Sequence, residues 1–275
     1  MQEQAAQPRI AVAGAGAFGR NHLRVIRDSA RATLAGVFDI DGERAAAAAA
    51  EFGCHALGSL AGIATIADAA VVAVPTTHHH AVATELLEAG LDVLVEKPIT
   101  VDLIQAKRLV DFSKKANCIL QVGHLERFNP AVRRMREIIG QPVYIETKRL
   151  SYPTDRNLDV GVVWDLMIHD LDILINLVNS PVVDIHAIGV SVYSEFEDVA
   201  QVQLTFKNGC MASLLASRIG GEKLRQLKAT EINGRTLCLD FIDQTLVAMH
   251  PPRSGRVIPP EILDVEKDEI GRAHV

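Results

Sequence analysis

The chain has 275 residues, 48% of them hydrophobic and 23% charged, enough to bury a sizeable core and, by its length, to form two domains. A formal net charge of −6 with no block of basic residues argues against nucleic acid or an anionic membrane as a partner, while leaving small anionic ligands to local sites. The opening MQEQAAQPRI lacks a basic segment followed by an apolar core, and no apolar run approaches the length of a membrane span, so a cytoplasmic protein is expected.

From Arg9 the chain reads RIAVAGAGAFGRNHLRVIRD, an apolar strand running into a glycine turn and then a helix. ATLAGVFDI follows as a strand, then a helix containing the alanine run 45–50, the strand AAVVAVPT, a helix over about 79–88, the strand DVLVEKP, a helix over about 103–116, and CILQVGHLERF. Apolar, β-branched strands alternating with helices predict a doubly wound parallel sheet of Rossmann type.

Gly14, Gly16 and Gly19 form GAGAFG, a weak match alone because glycine and alanine are common. Here it follows a strand and opens a helix, and Asp39 ends the next strand twenty residues after Gly19. In that layout glycines let a pyrophosphate approach a helix N-terminus and a carboxylate takes the ribose hydroxyls. Gly14, Gly16, Ala17, Phe18, Gly19 and Asp39 are therefore candidate cofactor ligands, against the plainer reading of a tight strand-to-helix turn. With Ile40 after Asp39 and no Arg or Lys beside it, NAD is favoured over NADP, whose 2′-phosphate the carboxylate would repel.

His78, His79 and His80 point in different directions and have no Cys or acidic ligand spaced to complete a tetrahedron, so no metal is expected. Pro75, Thr76 and one of these histidines, His79 as the candidate, are expected to line the cofactor side where the helix begins. Glu96 and Lys97 of VEKP fall at a strand end on the same sheet edge, followed by the chain-turning Pro98.

The segment WDLMIHDLDILINLV predicts a helix over 164–178, apolar around most of its girth, with Asp165, His169, Asp172 and Asn176 on one face at offsets of four, seven and eleven. Asp170 is the main exception on the apolar side. The stripe either meets bulk water or faces an active site; Asp, His and Asn are mediocre helix formers, and a His one turn from an Asp is how an imidazole is oriented as a general base. Beyond and before this helix, PVYIETKRLSY, PVVDIHAIGVSVY, VAQVQLTF, CMASLLASR, LRQLKATEI and RTLCLDF read as strands separated by turns such as Asn233-Gly234.

Taken in order, the strand-linked GAGAFG, VPTTHHH, VEKP and the Asp165-to-His169 pair resemble the glucose-fructose oxidoreductase and inositol dehydrogenase (Gfo/Idh/MocA) family over nearly the whole chain. The resemblance implies an NAD-binding Rossmann domain at 1–125 and a substrate-binding and oligomerisation domain at 126–275 with an open, mainly antiparallel sheet. It also implies a sugar or nucleotide-sugar substrate, a homo-oligomer (dimer or tetramer), and catalytic roles for Lys97, Asp165 and His169, with the parts of Lys97 and His169 exchangeable. More narrowly, VGHLERFNPAV and DVGVVWDLMIHDLDIL resemble the UDP-N-acetylglucosamine 3-dehydrogenases that prepare a diamino sugar for lipid A. On that resemblance His124, Arg127 and Asn129 contact the sugar or its diphosphate; the alternative is that they belong to an interdomain linker. Other readings are an inositol or hexose dehydrogenase, and a non-catalytic NAD-binding sensor.

Cys54, Cys118, Cys210 and Cys238 are far apart with no CxxC pair, and are expected as free thiols in a reducing compartment. The last six residues, IGRAHV, have no helical pattern or cap and reverse-translate as ATC GGA AGA GCA CAC GTC, the start of a common sequencing adapter. Residues 270–275 are accordingly expected to be foreign, and the second domain truncated at its C-terminus.

Overall fold

The computed structural model describes residues 7–153, 160–252 and 256–266. The foreign segment expected at 270–275 lies outside them. Among the described residues no helix is long and apolar enough to cross a membrane. The chain forms two compact units, which divide between Gly123 and His124.

The first unit alternates β1 (Arg9–Ala13), α1 (Ala17–Asp28), β2 (Thr33–Phe38), α2 (Gly42–Phe52), β3 (His55–Leu57), α3 (Leu60–Ile66), β4 (Ala69–Val72), α4 (Thr76–Glu88), β5 (Asp92–Val95), α5 (Leu103–Ala116) and β6 (Leu120–Val122). Its strands make a parallel six-stranded sheet in the order β3-β2-β1-β4-β5-β6, with the order reversing between β1 and β4. Successive β1 residues feed opposite faces: Ala11 and Ala13 pack with Ile63, Leu86, Leu87 and Leu109, whereas Val12 packs with Leu23, Ile26, Ala48, Ala49 and Phe52. Burial on both faces is why these strands are continuously apolar. The alanine run serves the same end, since Ala45, Ala48 and Ala49 are buried without bulk on α2.

Local chemistry sets the helix ends. Asp41, Ser59 and Asp102 accept backbone N–H bonds as N-caps of α2, α3 and α5, each worth about 1 kcal/mol. Gly53 and Asn117 stop α2 and α5 in the left-handed conformation. Helix α4 begins at Thr76, three residues before the expected start, because Pro75 supplies a fixed φ just ahead of its first turn.

The second unit opens with a 3-10 turn at Leu125–Phe128 and α6 (Pro130–Ile138), a helix the strand-centred reading passed over. Asn129 caps it, Pro130 stands at its first turn, and Ala131, Val132 and Met135 bury its inner face. After β7 (Pro142–Leu150) come a π-helical turn at Val163–Met167 and α7 (Ile168–Val178). Strands β8 (Val182–Val190), β9 (Val199–Phe206), β10 (Met211–Ser217), β11 (Leu224–Glu231), β12 (Thr236–Asp240), β13 (Thr245–Met249) and β14 (Glu261–Leu263) complete it. The eight-stranded sheet runs β14-β13-β12-β11-β7-β10-β9-β8, with β7 and β10 parallel and every other pair antiparallel. Met135, Met167, Ile173, Leu174 and Leu177 from the helices join Ile145, Leu204, Leu214, Leu227 and Leu246 in one core on a single face of this sheet. Strands β13 and β14 extend the six expected ones.

Candidate active site

In the first unit the site is made largely of backbone. Gly14 has φ +105°, and a Cβ there would lie 2.4 Å from the Ala73 carbonyl oxygen on the neighbouring strand end. A Cβ at Gly19 would lie 1.8 Å from the Gly14 carbonyl oxygen, so α1 packs on the turn only because that residue is glycine. A Cβ at Gly16 would meet nothing within 4 Å. Gly16 is also the N-cap of α1 and, having no side chain, offers no cap bond to the N–H groups of the first turn. Those groups fit a pyrophosphate.

The turn is braced by Asp39, whose Oδ2 accepts the Ala15 N–H at 2.7 Å and whose Oδ1 accepts the Asp41 N–H at 2.9 Å. A cleft of ≈580 Å³ opens over this edge, bordered by the turn, Phe18, Asp39, Ile40, Pro75 and His78. Two expectations need correction here. Arg44, five residues after Asp39, does reach it: Nη1 is 3.6 Å from Asp39 Oδ1 and Nη2 is 3.2 Å from Asp41 Oδ2. The helical turn that follows β2 brings back a cation that adjacent-residue inspection missed. His78, and not His79, lines the cleft. His79 is 1% exposed, with Nδ1 2.8 Å from the Pro98 carbonyl and Nε2 2.9 Å from the Val74 carbonyl, so it ties α4 to two strand ends. Thr76 opens α4 immediately after Pro75.

Glu96 and Lys97 leave the end of β5. The Glu96 carboxylate is buried, with Oε1 2.6 Å from His22 Nε2 and Oε2 accepting the Lys97 backbone N–H at 3.2 Å.

In the second unit the site is made of side chains on one helical segment. Asp165 lies in the π-helical turn and His169 in the first turn of α7, both half-buried. The expected uniform helix over 164–178 therefore begins with a wider turn, of a kind that recurs at functional sites. Glu197 sets that start: its Oε1 accepts the Val163 N–H at 3.1 Å and its carbonyl accepts the Val162 N–H at 3.0 Å. A Cβ at Gly161 would lie 2.0 Å from Glu197 Oε1, which is why glycine precedes the turn. Asp198 beside it is buried and accepts N–H bonds from Val192, Tyr193 and Ser194 and the Ser194 hydroxyl. Burial alone would raise its carboxyl, but these donors outweigh it and hold it well below the ordinary range.

Further along the stripe, Asp172 takes a two-pronged contact from Arg127, Nε to Oδ2 at 2.7 Å, and has His124 Nε2 3.9 Å from Oδ1. Asn176 is exposed and donates to the Asp172 carbonyl at 2.7 Å, so the stripe runs out into solvent at its end. Asn129, expected at the substrate, is 1% exposed; its Oδ1 accepts the Ala131 N–H and its Nδ2 donates to the Phe241 carbonyl. It is a helix cap with no face left for a sugar.

Asp170, the charge out of pattern, points into the core and is 1% exposed. Arg149 of β7, itself 2% exposed, grips it through Nε and Nη2 at 2.9–3.2 Å, reaches Glu126 at 3.2 Å and lies over the Phe241 ring at 4.9 Å. Burial disfavours the Arg149 charge, but Asp170 and Glu126 outweigh it and hold the guanidinium above its ordinary value. Arg225 lies in the same field, pushed down by burial and by Arg149 while Glu126, Asp170 and Asp165 pull it up. This network locks the inner side of α7. Its sequence signal was a pair of orphan charges: an arginine on the core-facing phase of a strand and an aspartate on the apolar face of a helix.

Residues 8–124 match the profile of the oxidoreductase family with an NAD-binding Rossmann fold, GFO/IDH/MocA, and residues 132–236 match the C-terminal domain of that family. The chain is 37% identical over 252 residues, 91% of its length and 79% of the relative's, to a UDP-N-acetylglucosamine 3-dehydrogenase of Acidithiobacillus ferrooxidans. The solved structure of that enzyme superposes with a TM-score of 0.89 at 35% identity, covering 97% of this chain and 86% of the other. An inositol 2-dehydrogenase of Leifsonia xyli is 32% identical over 64% of the chain and 55% of its own length. An Agrobacterium radiobacter oxidoreductase solved with NAD+, L-tartaric acid and magnesium shares the fold at 20% identity, with a TM-score of 0.84 over 98% of this chain and 85% of that one. The chain belongs to the GFO/IDH/MocA family of NAD-binding oxidoreductases.

Proposed function

We propose that the chain is an NAD-dependent dehydrogenase that oxidises a secondary alcohol of a nucleotide sugar, C3 of UDP-N-acetylglucosamine, to the 3-keto sugar. The observation that carries the reading is the chain-wide similarity to an enzyme of that name, at 37% identity over 91% of the chain. The open Gly16 and uncapped α1 support the dinucleotide. NAD, when bound, supplies the hydride acceptor.

The remaining work falls to the chain's own groups. His169 takes the hydroxyl proton as general base, Asp165 orients the imidazole, and Lys97 stabilises the developing alkoxide, with Lys97 and His169 able to trade parts. His124 and Arg127 meet the sugar or its diphosphate, the phosphate oxygens competing with Asp172 for the Arg127 fork. The 3-keto product suits a diamino sugar of lipid A. The working place is the cytoplasm, in keeping with four free thiols, each pushed up by burial. A second copy covers the open face of the eight-stranded sheet, where Tyr144 and Met211 are paired across β7 and β10 and both are exposed, giving a dimer or tetramer.

The test is absorbance of reduced cofactor with NAD and a panel of UDP-sugars, inositols and free hexoses. Turnover of UDP-N-acetylglucosamine is expected. Preference for an inositol would support a second reading, favoured by the 32% identity to an inositol 2-dehydrogenase, and tight NAD binding without turnover would leave a sensor. His169→Ala is expected to lose about 10²- to 10⁴-fold in turnover with NAD affinity unchanged. Light scattering that returned a monomer would remove the covered sheet face.

A further inference from the structure

His22 is a polar side chain in a helix whose visible task is to present its N-terminus to a dinucleotide. It stands in the second turn of α1, next to Leu23, and its side chain is largely buried. Its Nε2 is 2.6 Å from Oε1 of Glu96, at the far end of β5. The other oxygen of that carboxylate accepts the Lys97 backbone N–H at 3.2 Å. Space for it is left by Gly123, where a Cβ would come within 3.1 Å of Glu96 Oε2. The Glu96 N–H is itself held by the Val72 carbonyl at 3.0 Å, and the Gly123 N–H by the Val95 carbonyl at 2.7 Å.

A buried carboxylate held by α1 and by the backbone at the end of β5, with room left for it by the residue after β6, is a built feature. It is costly unless each oxygen keeps a donor. Such a carboxylate one residue before a functional lysine governs that lysine through the backbone it anchors.

We propose that His22 is a positioning residue: through Glu96 it fixes the Lys97 backbone at the strand end, and with it the direction in which the lysine side chain leaves. This rests on the reading that Lys97 acts on the substrate oxygen. In His22→Leu the donor is lost, the carboxylate no longer holds the Lys97 N–H in one place, and the lysine side chain leaves the strand end in a changed direction. In His22→Gln an amide N–H donor occupies nearly the place of Nε2.

The full chain is labelled with an acylating reagent and modification is followed lysine by lysine in a mass spectrometer, Lys97→Met identifying the site. The Lys97 labelling rate is expected to change at least threefold in His22→Leu and to stay at the wild-type rate in His22→Gln, with the other lysines unchanged. Turnover is expected to fall about tenfold in His22→Leu with the sugar KM and the NAD dissociation constant within twofold, and to return in His22→Gln. Unchanged Lys97 labelling in His22→Leu would overturn the proposal, as would equal loss in both variants, the mark of a packing role alone. Full turnover in Lys97→Met would instead overturn the role of Lys97 in the chemistry, while the labelling pattern still decides what His22 does.

Discussion

The glycine turn of the first unit and the α7 segment of the second both carry candidate site groups, but from different materials. The turn uses main chain, packed close because Gly14 and Gly19 lack side chains, left open at Gly16, and braced by a single carboxylate, Asp39. The helix uses side chains, held because Arg149, Asp170 and Glu126 neutralise one another beneath it. A backbone site is broken by adding atoms. A side-chain site is broken by removing a charge and leaving its partner in the core.

Substitutions should sort along that line. The largest effect is expected at Gly19→Ala, where the new methyl meets a carbonyl oxygen that has no side chain to yield: more than about 4 kcal/mol of stability, or loss of NAD binding if the turn deforms instead. Gly16→Ala should keep the wild-type melting temperature and lose only NAD affinity, measured by calorimetry, since its Cβ meets nothing in the protein. If both variants melted alike, the distinction between the two glycines would collapse.

Next comes Arg149→Met, expected to cost about 3–5 kcal/mol in urea unfolding by leaving Asp170 charged and unpaired in the core. Arg149→Met with Asp170→Leu should recover more than half of that loss, because an apolar pair has no charge to bury. No recovery would mean that the network contributes through Glu126 and Phe241 rather than through the pair.

A smaller effect is expected at Glu231, which accepts from the Gly140 N–H at 2.6 Å and pairs with Arg235. Burial pushes its carboxyl up, but the bonds from Arg235 and Gly140 and the Arg235 charge outweigh burial and hold it below its ordinary value of 4.5. A depressed folded value means the contribution is present above about pH 4.5 and lost as the pH falls through the folded value. Glu231→Gln should therefore flatten the acid limb of stability against pH while costing about 1 kcal/mol at neutrality. An unchanged acid limb would show that Glu231 is not ionised there. The smallest effect belongs to Arg44, half-exposed at the cleft mouth. Arg44→Ala should leave NAD affinity within about threefold, since exposed pairs are weak, and weaken NADP more, since Arg44 is a cation beside Asp39 able to meet a 2′-phosphate.

The same contrast explains what the sequence disclosed. Gly14, Gly16, Gly19 and Asp39 were legible because their spacing is a local requirement of one turn and one strand. The strands of both sheets were legible because burial on two faces or one writes a run or an alternation. Asp170 was visible only as an exception, since its partner Arg149 is twenty-one residues away in the chain. The π-helical turn was not legible, because it depends on Glu197, thirty-four residues beyond Val163. Asn129 and His79 were misread for a shared reason: a polar residue near a site and a polar residue closing a backbone gap carry the same letter.

The grip of Glu197 on the beginning of the α7 segment carries a further consequence. That start is tethered to the corner between β8 and β9, at the margin of the sheet. Change in the corner would tilt α7 by small steps and re-aim Asp165 and His169 while leaving both residues in place.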